Sequence, residues 1–270
     1  PFSPTSAEIL GFLQHLIDST DALYGTFDSH RSALAFILPG DLGTDKALKR
    51  FLKGISHLRP ARPKYTTTWD PSVVVDYLKN SSSNAVLSLE QLSSKLALLA
   101  LVTAYRVQTL SLIRLSSIKF DPSGVQINMT DPIKTSIRTG IYPSFTFQYF
   151  TEDPALCVVS TLQEYVRLTD NIRKGEDFLF LSTRKPHGHA SSTTIARWIR
   201  TTLQKAGIDT QIYGAHSTRH ATTSAALRSG VIVSVEDIRK LAGWTGRSTV
   251  FEKFYNRPLS TQSAIPRVLL

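Results

Sequence analysis

Cysteine is almost missing from this chain: its 270 residues hold one, Cys157. A lone cysteine excludes an internal disulfide and any cysteine-based metal cluster, and it fits a reducing compartment such as the nucleus or cytoplasm. Long apolar runs are missing too. No stretch approaches the about 18 residues that a membrane span requires. No basic amphipathic helix with an aromatic face stands out to lie on an anionic bilayer, so a membrane partner is not expected. The N-terminal residues lack a charged segment followed by an apolar one, so no secretory signal is expected. Metal ligands are sparse: His187 and His189, two apart in a polar loop, have no Cys or Asp beside them and make a poor site. There is no G-x-S-x-G elbow, and Ser217 and Thr218 beside His216 do not make a hydrolase signature. Internal repeats and low-complexity tracts are absent as well. Finally, acids are scarce: 21 Asp and Glu stand against 31 Lys and Arg, a net charge of +10. Such an excess favours a polyanionic partner, above all nucleic acid.

What is present divides unevenly. The first 45 residues hold six acids and one base, Arg31. Residues 46–64 then carry Lys46, Lys49, Arg50, Lys53, Arg59, Arg62 and Lys64 with no acid, which places positive charge on one stretch of surface. Helical periodicity runs through "SAEILGFLQHLID", with Ser6 as N-cap, through "HRSALAFILP" and through "KALKRFLKGISHL". In "RPARPKYTTTWDP" two X-Pro steps and a threonine run disfavour helix, so an extended linker is expected. The domain boundary is placed near residue 65. Residues 1–65 form a small helical domain, 66–78 the linker and the start of the next domain, and 79–270 the remainder.

Beyond the linker, "DPSVVVDYLKN" starts a helix capped by Asp70, with Pro71 in its first turn. "SLEQLSSKLALLALVTAYR" predicts one long buried helix opened by a Ser88–Gln91 capping box and ending at Arg106. "GVQINMTDPIKTSI" and "YPSFTFQYF" alternate like strands, with turn residues at 121–124 and 130–132. Helices are expected at about 153–168, 191–206, 216–229, 234–242 and 248–255. The fold class is mainly α with a small antiparallel β-sheet.

Several residues suit a phosphodiester, which needs cations and donors around its non-bridging oxygens, an in-line nucleophile and an acid for the leaving oxygen. Arg106, emerging from an apolar helix, carries a planar fork that fits a carboxylate or a phosphate. His216 and Arg219, three apart in "HSTRH", share a face at a helix start, where backbone N–H groups are expected to add to an anion site. Trp244 follows a glycine in "LAGW", and Tyr255 lies eleven residues on in "KFYNRP".

Taken in order, Arg106, Lys134, His216, Arg219, Trp244 and Tyr255 resemble the tyrosine recombinase (phage-integrase-like) family. The resemblance covers most of the chain, chiefly 85–258, and rests on "AYRVQTLSLIRLSSI", "PIKTSI", "HSTRH", "LAGW" and "KFYNRP". The wording of "RPKYTTTWDP", "TSAALRSGV" and "FYNRP" is similar to DIRS-like eukaryotic mobile elements. There are departures. Thr109 stands where the family usually has an acid, which leaves open how Arg106 is held. Trp244 replaces the commoner histidine, and its indole N–H can donate to a phosphate oxygen but cannot shuttle a proton. The gap from Trp244 to Tyr255 is a little longer than usual.

The resemblance implies a two-domain architecture: a helical core-binding domain that clamps DNA and an α/β catalytic domain. It implies a site-specific recombinase whose Tyr255 attacks a DNA phosphate, forms a 3′-phosphotyrosine and frees a 5′-hydroxyl, with neither metal nor other cofactor. Arg106, Arg219, Trp244 and His216 would meet the developing charge. Lys134, on a hairpin, would protonate the leaving oxygen, with Lys119 and Arg138 as nearby alternatives. His220 is read as packing behind the site. The basic stretch from Lys46 to Lys64, together with Arg197 and Lys205, would contact phosphates of double-stranded DNA. The tail after Tyr255 would be exchanged between subunits of a dimer or tetramer on DNA. The alternatives are type IB topoisomerase-like strand relaxation and a catalytically silent, element-derived DNA-binding protein. Localisation is nuclear for a eukaryotic mobile element and cytoplasmic otherwise.

Overall fold

The computed structural model describes residues 3–81, 87–229, 234–244 and 248–260. The chain divides into two compact units, residues 1–64 and 65–270.

The first unit is built from α1 (Ser6–Ser19), α2 (Tyr24–Ile37) and α3 (Lys46–Leu58). Thr5, not Ser6, caps α1: its hydroxyl accepts from Glu8 N while the Glu8 carboxylate accepts from Thr5 N. The reciprocal box needs an acid three residues on, which Thr5 has and Ser6 lacks; the Ser6 hydroxyl donates to Asp45 instead. In α3 the i, i+4, i+7 set Leu48, Leu52 and Ile55 is buried against Ile9, Leu13 and Phe27. Each such side chain contributes about 1.5–3 kcal/mol when fully removed from water. Lys46, Lys49, Arg50 and Lys53 fall on the exposed side of the same helix. Arg62 and Lys64 are exposed beyond it. Arg59 differs: its guanidinium donates to the carbonyls of Thr20 and Ile17, closing the end of α1.

The second unit holds α4 (Pro71–Ser81), α5 (Leu89–Lys95), α6 (Ala97–Thr103), α7 (Val107–Ser111), β1 (Ile118–Asp121), β2 (Gly124–Asn128), α8 (Ser136–Thr139), β3 (Ser144–Gln148), α9 (Val158–Thr169), α10 (Ser192–Lys205), α11 (Ser217–Arg228) and α12 (Val235–Leu241). A single π turn, Phe251–Tyr255, follows. The strands form one antiparallel sheet in the order β1-β2-β3, with Ile118 opposite Ile127 and Val125 opposite Phe147. Mainly α with a small antiparallel sheet is thus the observed class.

Two sequence expectations are corrected here. The long helix of residues 88–106 is broken. The Ser88–Gln91 capping box is present on α5, but α6 stops at Thr103 and Ala104 adopts a left-handed conformation with φ 51°. The Thr103 hydroxyl donates to the Leu99 carbonyl and accepts from Tyr105 N, so the chain turns out of the helix through a side-chain bond. Arg106 therefore does not end a helix; it is the N-cap of α7. The strand alternation of 124–137, expected to be interrupted by turn residues at 130–132, also pairs only as far as Asn128. Pro132 can donate nothing to a ladder, Asp131 turns its carboxylate to Arg114, and Lys134 sits in the loop that precedes α8.

The linker is extended and tied into the second unit. The buried Trp69 donates its indole N–H to Ser217 Oγ at 2.8 Å. Thr68 pairs with the segment after the π turn: Thr68 N donates to the Pro258 carbonyl at 2.8 Å, and Ser260 N donates to the Thr68 carbonyl at 2.7 Å.

Candidate active site

Helix α11 is polar where an ordinary surface helix would be apolar, and it is buried. Ser217, Thr218, Arg219, His220, Thr223 and Ser224 are all buried, and Arg219 is 0% exposed. A guanidinium taken out of water needs compensation. Arg219 Nη1 donates to the Ala104 carbonyl at 2.8 Å, and Nη2 donates to the Ala242 carbonyl at 2.6 Å. Its guanidinium carbon lies 4.2 Å from the centre of the Trp244 ring and 5.3 Å from that of Tyr255. The left-handed turn at Ala104 thus aims a carbonyl at this arginine. Among the described residues no carboxylate forms an ion pair with Arg219, Arg106 or Lys134. Burial, reinforced by the neighbouring Arg106 charge and partly offset by Tyr255 and Tyr105, lowers the Arg219 guanidinium to about 10. Arg219 therefore keeps its charge at neutral pH in a place that favours an anion beside it.

His216 stands at the N-cap of α11, and its Nε2 lies 3.0 Å from the Tyr255 hydroxyl. One turn further along, the His220 ring stacks on Tyr255 at 4.1 Å and meets Tyr65 edge-on at 4.9 Å. A turn beyond that, Ser224 Oγ donates to the Tyr255 carbonyl at 2.7 Å and accepts from Arg257 N at 3.0 Å. One face of α11 at i, i+4 and i+8 therefore orients the phenol, supports its ring and holds its backbone. Arg257 adds a tie from Nε to the Tyr65 carbonyl at 2.9 Å.

The backbone amides at the start of α11 do not contribute the anion donors expected of them. Ser217, Thr218 and Arg219 N–H groups donate back to the carbonyls of Gly214, Ala215 and His216. The unsatisfied donors are on side chains instead: Arg219 Nε and Trp244 Nε1 are both buried with no hydrogen-bond partner among the described residues. Trp244 lies 4.7 Å from Tyr255, ring centre to ring centre. It is presented by Gly243, whose φ is +66° and where a Cβ would come within 2.9 Å of the Tyr105 hydroxyl, so a side chain there would be strained. Arg106, Lys134, Trp244, Gly243, Thr135, Ser248 and Val250 line one cavity of about 340 Å³.

The six residues of the expected set are thus brought to one region: His216, Arg219 and Trp244 each meet Tyr255, and Arg106 and Lys134 share with Trp244 the wall of the adjoining cavity. Of the two alternatives to Lys134, Lys119 lies exposed in β1, away from that wall, and the Arg138 side chain lies outside the described residues. Arg197 and Lys205 are exposed on α10 and line other grooves, Arg197 with Arg184 and Thr201, Lys205 with Lys95 and Gln91. His187 Nδ1 bonds the Ser182 carbonyl, while His189 stacks on Phe178 and bonds the Ser111 carbonyl, so both rings brace a loop. Sequence reasoning missed the holding roles of Ser224 and Arg257; the His216-His220-Ser224 spacing of four was the available signal.

Known proteins can now be set beside this geometry. No curated protein matches the chain in sequence. Among solved structures, the integrase of the Tn1549 transposon in complex with circular intermediate DNA aligns over 99% of this chain and 86% of its own, at 12% identity and a TM-score of 0.54. Lambda integrase bound to DNA aligns over 95% and 83%, at 16% identity and 0.52. XerA recombinase aligns over 98% and 92%, at 18% identity and 0.50. At such identities the likeness establishes the fold. Residues 73–261, which include all six site residues, match the phage integrase family, and the chain belongs to that family, the tyrosine recombinases.

Proposed function

We propose that this chain is a site-specific DNA recombinase that cuts and rejoins strands through a 3′-phosphotyrosine on Tyr255, in the service of a mobile element of the DIRS-like kind. The observation that carries the reading is the Tyr255 hydroxyl, 3.0 Å from His216 Nε2, beside an arginine whose Nε has no acceptor among the described residues.

A phenol ionises at about pH 10, so about one in a thousand is charged at neutral pH. His216, with Nε2 unprotonated, accepts the phenolic proton as the oxygen attacks phosphorus. The Tyr255 O–P bond forms and the bond from phosphorus to the 5′-oxygen breaks. Lys134 gives that oxygen its proton. Negative charge growing on the non-bridging oxygens is met by Arg106, by Arg219 through Nε, and by the Trp244 indole N–H, donors already in position before reaction. Attack by a 5′-hydroxyl from a second strand reverses the step, and the covalent link conserves the phosphodiester energy.

Lys46, Lys49, Arg50, Lys53, Arg62 and Lys64 are assigned to the phosphate backbone of duplex DNA, and Arg197 and Lys205 to further phosphates. Arg59 is left out because its donors are engaged. Assembly into dimers or tetramers on DNA belongs to the same reading; the apolar end of the tail expected to be exchanged, residues 261–270, lies outside the described residues.

A nicked suicide duplex bearing the ends of the element tests this. Wild-type protein forms a covalent adduct, and Tyr255→Phe forms none. Recombination between two sites, as against relaxation of one supercoiled circle, separates a recombinase from a topoisomerase. An adduct that persists in Tyr255→Phe would falsify the assignment.

A further inference from the structure

Lys134 is exposed and makes no ion pair among the described residues, yet an acid must reach one oxygen of the substrate. Its placement depends on the loop from Met129 to Pro143 that joins β2 to β3. That loop is closed at its base by Met129 N donating to the Pro143 carbonyl at 3.0 Å. Ile133 is 4% exposed and donates its N–H to Ser136 Oγ at 2.8 Å. Further out the anchoring thins: Ile137 and Ile141 are 75% and 72% exposed. Asp131 carries the loop's ion pair. Its carboxylate accepts two bonds from Arg114, from Nε at 2.6 Å and from Nη2 at 2.9 Å.

Arg114 is an unusually fixed donor for such a bond. It lies three residues beyond α7, the helix that Arg106 begins, and its backbone bridges to Phe178. The guanidinium sits 4.2 Å above the Phe178 ring, which stacks on His189 at 3.8 Å, and His189 bonds the Ser111 carbonyl at the end of α7. Nη1 also approaches Asp177 at 3.8 Å, whose carboxylate accepts from Ser116 N and Oγ. A bidentate guanidinium–carboxylate pair fixes direction as well as distance.

Resting on the reading given above, we propose that Arg114 and Asp131 are positioning residues for Lys134: their ion pair locks the loop of the general acid to the segment that presents Arg106, setting the spacing of the two cations on either side of one phosphate. Neither residue touches substrate. The pair acts by holding Lys134 where its proton meets the leaving oxygen, and misplacement by about 1 Å costs about a hundredfold in rate.

The test is single-turnover cleavage of two suicide duplexes, one with the ordinary bridging 5′-oxygen and one with sulfur in its place. A thiolate departs without a proton, so a defect confined to the acid vanishes on the sulfur substrate, whereas a general structural defect persists. Arg114→Gln and Asp131→Asn should each slow the oxygen substrate about 10- to 100-fold and return close to wild-type rate on sulfur, as Lys134→Ala should. Arg114→Lys, which keeps the charge but loses the fork, should fall between. If Lys134→Ala recovers on sulfur while Arg114→Gln and Asp131→Asn do not, or if neither is slowed on oxygen, the pair has no positioning role. If Lys134→Ala itself fails to recover, Lys134 is not the acid and the proposal falls with that assignment, while the adduct at Tyr255 stands or falls separately.

Discussion

Helix α3 of the first unit and helix α11 of the second both collect positive charge, and they handle it in opposite ways. In α3 the apolar set Leu48, Leu52 and Ile55 faces inward and the lysines stand in solvent. In α11 Arg219 and His220 are buried and the helix has no apolar stripe. Solvated charges are interchangeable and individually cheap to keep. A buried guanidinium has to be held by named partners, here the carbonyls of Ala104 and Ala242 and the faces of Trp244 and Tyr255. The first arrangement suits a long polyanion gripped anywhere along its backbone. The second suits one anion in one orientation.

This contrast can be broken by substitution, beginning with the largest effect. Arg219→Ala should lower suicide-substrate cleavage by about 10²–10³-fold, with Arg106→Ala in the same range; activity near wild type in either would erase the distinction drawn for α11. Next comes stability. With Arg106 and Arg219 lacking a counter-ion among the described residues, sulfate or inorganic phosphate should raise the melting temperature, by the few degrees that correspond to about 1.4 kcal/mol at tenfold saturation. Arg106→Ala should blunt that rise, and a thermal shift identical in the two proteins would count against an anion site. In the first unit Arg59→Ala should cost about 1–2 kcal/mol in urea unfolding, because it leaves the end of α1 uncapped, whereas Lys53→Ala should stay within about 0.5 kcal/mol. The smallest effects fall on binding. Lys49→Ala and Lys53→Ala should each flatten the dependence of log affinity on log salt by about 0.9 and weaken all duplex sequences alike.

How much of this was legible beforehand depended on whether the cause was local. The amphipathic period placed α3 and α10 to within a residue, and the Ser88–Gln91 box marked the start of α5, because those signals live within one turn of helix. The break at Ala104 was hidden: apolar, helix-favouring residues surround it, and what ends α6 is a threonine side-chain bond together with an arginine 115 residues away that takes the freed carbonyl. Lys134 is expected on a hairpin beyond turn residues at 130–132, and it stands in the join between β2 and β3, in the turn before α8, because pairing stops at Asn128. The six candidate residues stand together in the sequence only through family resemblance, and their geometry leaves no trace there. That α11 offers side-chain rather than backbone donors follows from the turn Gly214–His216, which occupies the amides and leaves no mark in residue type. The Arg114–Asp131 pair spans 17 residues with nothing in composition to join them.

The pairing of Thr68 with Leu259 carries a consequence for the order in which this protein becomes competent. The two segments lie nearly two hundred residues apart, and they are among the first and last described parts of the second unit. On a ribosome, which makes about 5–20 residues per second, the linker waits on the order of ten seconds or more before its partner is made. Until Ser260 has cleared the exit tunnel the segment that follows Tyr255 cannot complete its pairing with Thr68. A growing chain already long enough to hold Arg106, His216 and Arg219 would thus still lack the backbone pairing that lays the segment after Tyr255 along the linker.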